Sequence, residues 1–146
     1  MILKNIKRNA GIIGAPIKHS LSPLIHQYWM KQHNIPARYS AFKVNRGELS
    51  LFINKAVEEN FVGFNVTLPH KSSVIPFLDE VSKEAKALGA VNTVLIKEKR
   101  TLGFNTDTFG FIEKDATLKE TLEKIGAKIE LLENDDDFTV FLLSFK

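Results

Sequence analysis

Val62-Gly63-Phe64-Asn65-Val66-Thr67-Leu68-Pro69-His70-Lys71 is the stretch whose reading decides the fold. Residues 62–68 form an apolar run that reads as a buried strand, and Pro69, which cannot donate to a ladder, closes it. Polar and charged groups crowd its end. Upstream, Ala10-Gly11-Ile12-Ile13-Gly14 reads as a second buried strand ending at a turn, and residues 38–44 alternate as a strand should. Between these runs lie helical signals. Ser22 is placed as an N-cap with Pro23 at the first helical position. Leu24, Ile25, Tyr28 and Trp29 then give the helix an apolar face, and it stops before Pro36. Asn45-Arg46-Gly47-Glu48 reads as a capping box ahead of Leu49, Phe52, Ile53, Ala56 and Val57 at helical spacing.

Downstream, a helix is predicted over residues 71–78, interrupted near Pro76, and another over 79–88, ended by Gly89. Residues 91–96 and 101–105 suggest a hairpin across the charged turn at 97–100. Short helices are expected over 109–112 and around Leu118, Leu122 and Ile125. Residues 128–132 and 138–145 are strand-like on either side of Asn134-Asp135-Asp136-Asp137. Strands alternating with helices over the first ninety residues predict a three-layer α/β domain. Its sheet is expected to be largely parallel and twisted, with an added hairpin and helices on both faces. Residues 1–113 are assigned to this domain, and 114–146 to a connecting helix and the truncated start of another.

The chain has 146 residues, of which 44% are hydrophobic and 25% charged, an ordinary globular composition that suggests one domain. It contains no cysteine, which excludes disulfides and thiolate metal sites. The net charge is +3, with lysines and acids interleaved. No basic stripe of the kind nucleic-acid binding needs is evident. No apolar run approaches the ~20 residues of a membrane helix, and the basic start lacks the apolar region of a secretory signal. A cytoplasmic protein is expected.

Four polar motifs carry the chemistry. In Ser20-Leu21-Ser22-Pro23, two hydroxyls and the backbone amides of a helix N-terminus suit a carboxylate or phosphate; the alternative is that Ser22 only caps the helix. Thr67 and Lys71 follow a buried strand, and strand ends in α/β sheets are where ligands bind. Lys71, placed at a helix start where positive charge is disfavoured, suits proton transfer; the alternative is a solvated surface lysine. In Gly89-Ala90-Val91-Asn92-Thr93, Asn92 interrupts an apolar run and must find partners if buried, either structural ones or a ligand hydroxyl. In Gly103-Phe104-Asn105-Thr106-Asp107, Asp107 either caps the next helix or pairs with Lys71, so that a ligand between them meets a donor and an acceptor. His19, His26 and His33 recur at seven-residue spacing, too far apart along a helix for one metal ion, so no metal site is expected. His70 has no obvious partner. The eight glycines lie at 11, 14, 47, 63, 89, 103, 110 and 126, no two separated by a single residue, so the chain holds no G-x-G-x-x-G.

Taken in order, Gly14 to Pro23, Asn65 to Lys71, Gly89 to Thr93 and Gly103 to Asp107 resemble the substrate-binding domain of shikimate dehydrogenases. The resemblance runs from about Gly11 to Phe111. It implies an NADP-dependent oxidoreductase that reduces 3-dehydroshikimate to shikimate, in the synthesis of aromatic amino-acid precursors. It further implies that Ser20 and Ser22 bind the substrate carboxylate, and that Thr67, Asn92 and Asp107 hold the ring hydroxyls. Lys71 would stand beside the reacting oxygen, with Lys71 and Asp107 as the catalytic pair. Thr108 departs from the family, where a glycine often follows the aspartate. Phe138 to Leu143 resembles the first strand of the family's NADP-binding domain, but Ser144-Phe145-Lys146 stands where its glycine loop would follow, so the cofactor site is expected elsewhere. The alternatives are one subunit of a split enzyme with a separate cofactor-domain chain, a non-catalytic shikimate or quinate module, or an inactive gene fragment. A homodimer is a further expectation, because the tail is apolar.

Overall fold

The computed structural model describes residues 8–107. The expectations for residues 109–146, including the cofactor-domain strand, lie outside them. In chain order the elements are β1 (Arg8–Gly14), α1 (Ser22–Gln32), β2 (Ala37–Lys43), α2 (Leu49–Glu58), β3 (Phe61–Val66), β4 (Glu80–Val81), α3 (Lys83–Leu88), β5 (Thr93–Lys97) and β6 (Arg100–Phe104). They build one six-stranded mixed sheet in the order β2-β1-β3-β5-β6-β4. β1 runs parallel to both β2 and β3, and β4 is parallel to β6, whereas β3/β5 and β5/β6 are antiparallel.

The connections explain the layers. The chain moves from β1 to β2 through α1, then returns across β1 to β3 through α2. Parallel crossovers keep one hand, so reversing direction puts the two helices on opposite faces of the sheet. The side chains agree. On β1, Ala10 and Ile12 point to the α1 face, where Met30 and Tyr39 pack. Ile13 points to the other, where Leu49, Ile53 and Ala56 of α2 meet Phe61, Phe64 and Val66. Phe42, Phe52 and Phe61 add tilted and edge-on ring contacts there, 5.4–6.3 Å between centroids. Val62 is skipped where the β1/β3 register shifts, and this extra residue puts Phe61 and Phe64, three apart, on the same α2-side face.

Several local readings hold. The Glu48 carboxylate reaches back to accept from the Asn45 backbone N–H at 2.8 Å, the second half of a capping box. Gly89 ends α3 at φ 63°, which a residue without Cβ adopts freely. Glu98 and Lys99, at φ 51° and 62°, turn the β5/β6 hairpin in the mirror-image geometry that suits strand twist.

Four local readings fail, three of them because a tertiary partner wins. First, α1 buries Ser22, His26 and Met30, leaving Leu24 71% and Tyr28 60% exposed. Its inward face is set by the stack of His26 on Tyr39 and by Met30 in the cluster with Ala10 and Ile12, rather than by the apolar stripe. Second, Ser22 does not cap α1. Leu21 holds the cap position without a side-chain bond, and the Ser22 backbone N–H donates to Ser20 Oγ at 3.3 Å. Third, no α-helix spans 71–78. The Lys71 carbonyl, which a helix would aim at Ile75 N–H, accepts from Val91 N–H at 2.7 Å instead. The segment makes turns and one 3₁₀ turn at Ile75–Phe77. Fourth, the helix expected from residue 79 starts only at Lys83, capped by Ser82. Asp79 is taken by β6, its Oδ2 accepting from Thr101 N–H at 2.7 Å and Thr101 Oγ1–H at 2.8 Å. Those bonds hold the Asp79 carboxyl below its usual range, the backbone N–H being the larger cause.

Candidate functional site

All four polar motifs emerge at one edge of the sheet. The C-terminal ends of β1 and β3 lie side by side, because the strands are parallel neighbours. β5 is antiparallel to β3, with Asn65 opposite Thr93, so its first residues start at that same edge. β6 is antiparallel to β5 and so ends there. The direction change from β2 to β3 about β1 makes this edge a topological switch point, where α/β sheets open a crevice.

On the loop after β1, Ser20 is half-buried and Ser22 is buried at the start of α1. After β3, Thr67 is tied back by its N–H to Ile13 O at 3.0 Å. A Cβ added to Gly14 would lie 2.6 Å from Thr67 Cγ2, so glycine there lets the two loops close on each other. His70 is fully buried and its Nε2–H donates to Val44 O at 2.6 Å, which anchors the loop between Thr67 and Lys71. Lys71 Nζ donates to Asp107 Oδ2 at 2.5 Å, with the two side chains 23% and 35% exposed. Each is half-buried, so the pair stands at the boundary between protein and solvent. Asp107 N–H donates to Asn105 Oδ1 at 3.0 Å; the asparagine makes the local turn bond, and the aspartate carboxylate is turned to the lysine.

Asn92 is fully buried immediately before β5. Its Oδ1 accepts from Thr106 N–H at 3.0 Å and from Thr93 Oγ1–H at 2.9 Å, and its Nδ2 donates to Thr106 Oγ1 at 2.9 Å. It therefore holds the segment that carries Asp107. The structure thus joins Lys71 to Asp107 directly and Asn92 to Asp107 through Thr106. Ser20 and Ser22 sit at the opposite side of the switch point, on the β1 loop.

Beneath the site lies a polar layer that the sequence reading passed over. Tyr39 O–H donates to Asn65 Oδ1 at 2.8 Å, and Asn65 Nδ2 donates to Asn92 O at 3.2 Å and Thr93 Oγ1 at 3.3 Å. The Tyr39 ring stacks on His26, with centroids 4.1 Å apart and planes 4° from parallel. Burial pushes the phenol well up and a bond from Ser22 opposes the shift. Burial lowers the His26 imidazole, partly offset by the Ser22 carbonyl that its Nδ1–H meets at 2.8 Å. Asn65 had a usable signal: an amide inside an apolar strand must be satisfied. Tyr39 had none, because its partners are contributed by other elements.

This geometry coincides with what the chain is similar to. The family model for the shikimate dehydrogenase substrate binding domain matches residues 12–94.

The chain belongs to the shikimate dehydrogenase family.

A shikimate dehydrogenase (NADP(+)) of Geobacillus kaustophilus is 46% identical over 103 residues, covering 70% of this chain and 37% of that protein. The crystal structure of a Thermus thermophilus shikimate 5-dehydrogenase in complex with shikimate matches at 39% identity and a TM-score of 0.70, covering 73% of this chain and 40% of that one. A ligand-free 5-ketofructose reductase of Gluconobacter sp. strain CHM43 matches at 31% identity and a TM-score of 0.72, covering 76% and 41%. The chain spans from 36% to 47% of the length of such curated relatives.

The family's members are named for NADP(+). A dinucleotide phosphate would need open backbone N–H groups in the first strand-to-helix turn of this sheet. That turn, Gly14 to Ser22, has no G-x-G-x-x-G, its Ala15 N–H is given to Leu68 O, and Pro16 has no N–H to offer. The described residues of this substrate-binding domain do not fit that group. Among them, no helix is long and apolar enough to cross a membrane.

Proposed function

We propose that this chain is the shikimate-binding part of an NADP-dependent shikimate dehydrogenase, and that it grips shikimate and 3-dehydroshikimate at the switch-point edge. The observation that carries the reading is the half-exposed Lys71–Asp107 pair at 2.5 Å, set beside the buried Asn92. On this reading Ser20 and Ser22 receive the substrate carboxylate, and Thr67, Asn92 and Asp107 receive ring hydroxyls. Lys71 stands at the reacting oxygen. When the carbonyl becomes an alcohol its oxygen gains negative charge, and Lys71 Nζ–H supplies both charge stabilisation and the proton. In the other direction Lys71 takes the hydroxyl proton. Asp107 holds the amine in line for either transfer. The described residues do not fit the dinucleotide, so no step through it is assigned to them.

Domain limits at residues 1–113 and 114–146, a cytoplasmic setting, and a homodimer or a separate cofactor-domain chain as partner belong to the same proposal. Titrating shikimate into the chain by calorimetry tests it. Saturable binding, with a melting temperature that rises with shikimate concentration, is the expected result. Absence of both overturns the reading. A second reading is favoured by the fold shared with a 5-ketofructose reductase at 31% identity: the edge then holds an open-chain polyhydroxy ketone. 5-Ketofructose binding more tightly than shikimate would decide for it. A non-catalytic module would keep its function after Lys71→Ala, whereas an enzyme would lose it.

A further inference from the structure

The polar layer under the site links its two ends, and Tyr39 is the joint. Tyr39 lies on the edge strand β2 opposite Ala10 of β1, and Asn65 lies one strand further, on β3. Strands two apart are separated by roughly 9–10 Å, so a phenol is long enough to cross β1 and meet Asn65. The small Ala10 leaves room beneath it. On the helix side its ring is stacked on His26, whose Nδ1–H meets the Ser22 carbonyl at 2.8 Å. On the sheet side the order continues from Asn65 to Thr93, from Thr93 to Asn92 Oδ1, and from Asn92 to Thr106 beside Asp107. Tyr39, Asn65, Asn92 and Thr93 are all at most 5% exposed, so water cannot substitute for a missing bond. Each hydroxyl or amide in this row has its direction set by the one before it. A carboxamide with two orientations presents its acceptor or its donor according to that setting.

We propose that Tyr39 is a positioning residue for substrate recognition. It holds His26, which bonds the Ser22 carbonyl, at one end of the site and, through Asn65 and Thr93, fixes the carboxamide of Asn92 at the other. The inference rests on the shikimate-binding reading.

Tyr39→Phe tests it, because the ring and its stack on His26 remain and only the hydroxyl goes. Two readouts are taken well below the melting temperature: the shikimate Kd by calorimetry, and the Asn92 side-chain amide signals by ¹⁵N NMR of the ligand-free chain. The expected result is a Kd raised about tenfold, since removing one buried bond from the row loosens the carboxamides it orients, together with shifted or faster-exchanging Asn92 amide protons. A lower melting temperature with unchanged Kd and unchanged Asn92 signals is what a merely structural tyrosine gives, and it overturns the proposal. Thr93→Val, which removes only the hydroxyl on Asn92 Oδ1, must give the same signature, and it serves if Tyr39→Phe does not fold. If the unaltered chain binds no shikimate, the substrate reading fails by itself. The Asn92 signals then still decide the relay: movement in Tyr39→Phe supports it, and stillness overturns it.

Discussion

Lys71 and Asp107 are 36 residues apart in sequence and 2.5 Å apart in space, bridging the loop after β3 to the segment after β6. Two adjoining bonds lock that approach from below. The Lys71 carbonyl takes Val91 N–H at 2.7 Å, and Asn92 N–H goes to Phe104 O at 3.0 Å. The lysine is therefore presented by backbone tethered to the same two strands that present the aspartate. A pair fixed in this way is ready to move a proton without first reorganising.

Replacing Lys71 by Met should separate chemistry from binding. With a dinucleotide-binding partner supplied, kcat is expected to fall by roughly a thousandfold, within the range of a positioned proton donor. The shikimate Kd of the same variant should move by less than about tenfold. Equal losses in both would assign Lys71 to binding alone.

His26 should make the domain acid-sensitive. Burial lowers its pKa in the folded chain below the ordinary histidine value of 6.5, so the unfolded chain binds more protons in the window just below that value. Stability is then full above about pH 6.5 and declines as the pH falls toward the folded-state value. Urea midpoints measured across that window should drop in the unaltered chain. In His26→Phe, which keeps a ring against Tyr39 but cannot titrate, the slope should be smaller.

The inward face of α1 can be read by paired substitutions. Met30 is buried and Leu24 is 71% exposed. Met30→Ala should cost about 2–5 kcal/mol, and Leu24→Ser less than about 0.5 kcal/mol. Chemical denaturation curves distinguish this outcome from the reverse order that an apolar stripe at Leu24 and Tyr28 would give.

Gly14→Ala is expected to injure the site more than the fold. The added methyl would lie 2.6 Å from Thr67 Cγ2 and 3.0 Å from Leu68 O, so the loop carrying Thr67 has to move. Calorimetry should show weaker shikimate binding at a temperature where circular dichroism is unchanged. A full-strength Kd would show that Thr67 is not a ligand.

Phe64 is fully buried in the α2-side core, edge-on to Phe52 at 5.3 Å. Phe64→Ala should cost about 3–5 kcal/mol, a large part of the stability of a domain this size. A shift of the urea midpoint with an unchanged m-value is the expected signature.

Much of this could be read along the chain, because the signals are local. Residues 10–14 and 62–66 are strands since their runs are mostly apolar, and Gly89 stops a helix since φ 63° suits it. The turn at Glu98 and Lys99 and the Asn45–Glu48 box are likewise decided within four residues. The six candidate residues stood out as polar groups at a helix start, at strand ends or inside an apolar run, and the family resemblance gave them roles. What misled was also local. Leu24 and Tyr28 look like a buried stripe, and residues 71–78 look helical, when only neighbours in sequence are weighed.

By itself, then, the sequence determined the alternation of strands and helices, the motifs at their ends and the absence of a dinucleotide fingerprint, all set by short-range sterics and hydrogen bonding. Tertiary structure alone decided which face of α1 turns inward, that the Lys71 carbonyl serves Val91 instead of a helix, and that Tyr39 reaches Asn65 across β1. In the first a ring stack on Tyr39 decides, and in the other two a polar group is satisfied by a partner far along the chain; no local pattern encodes where such a partner will be.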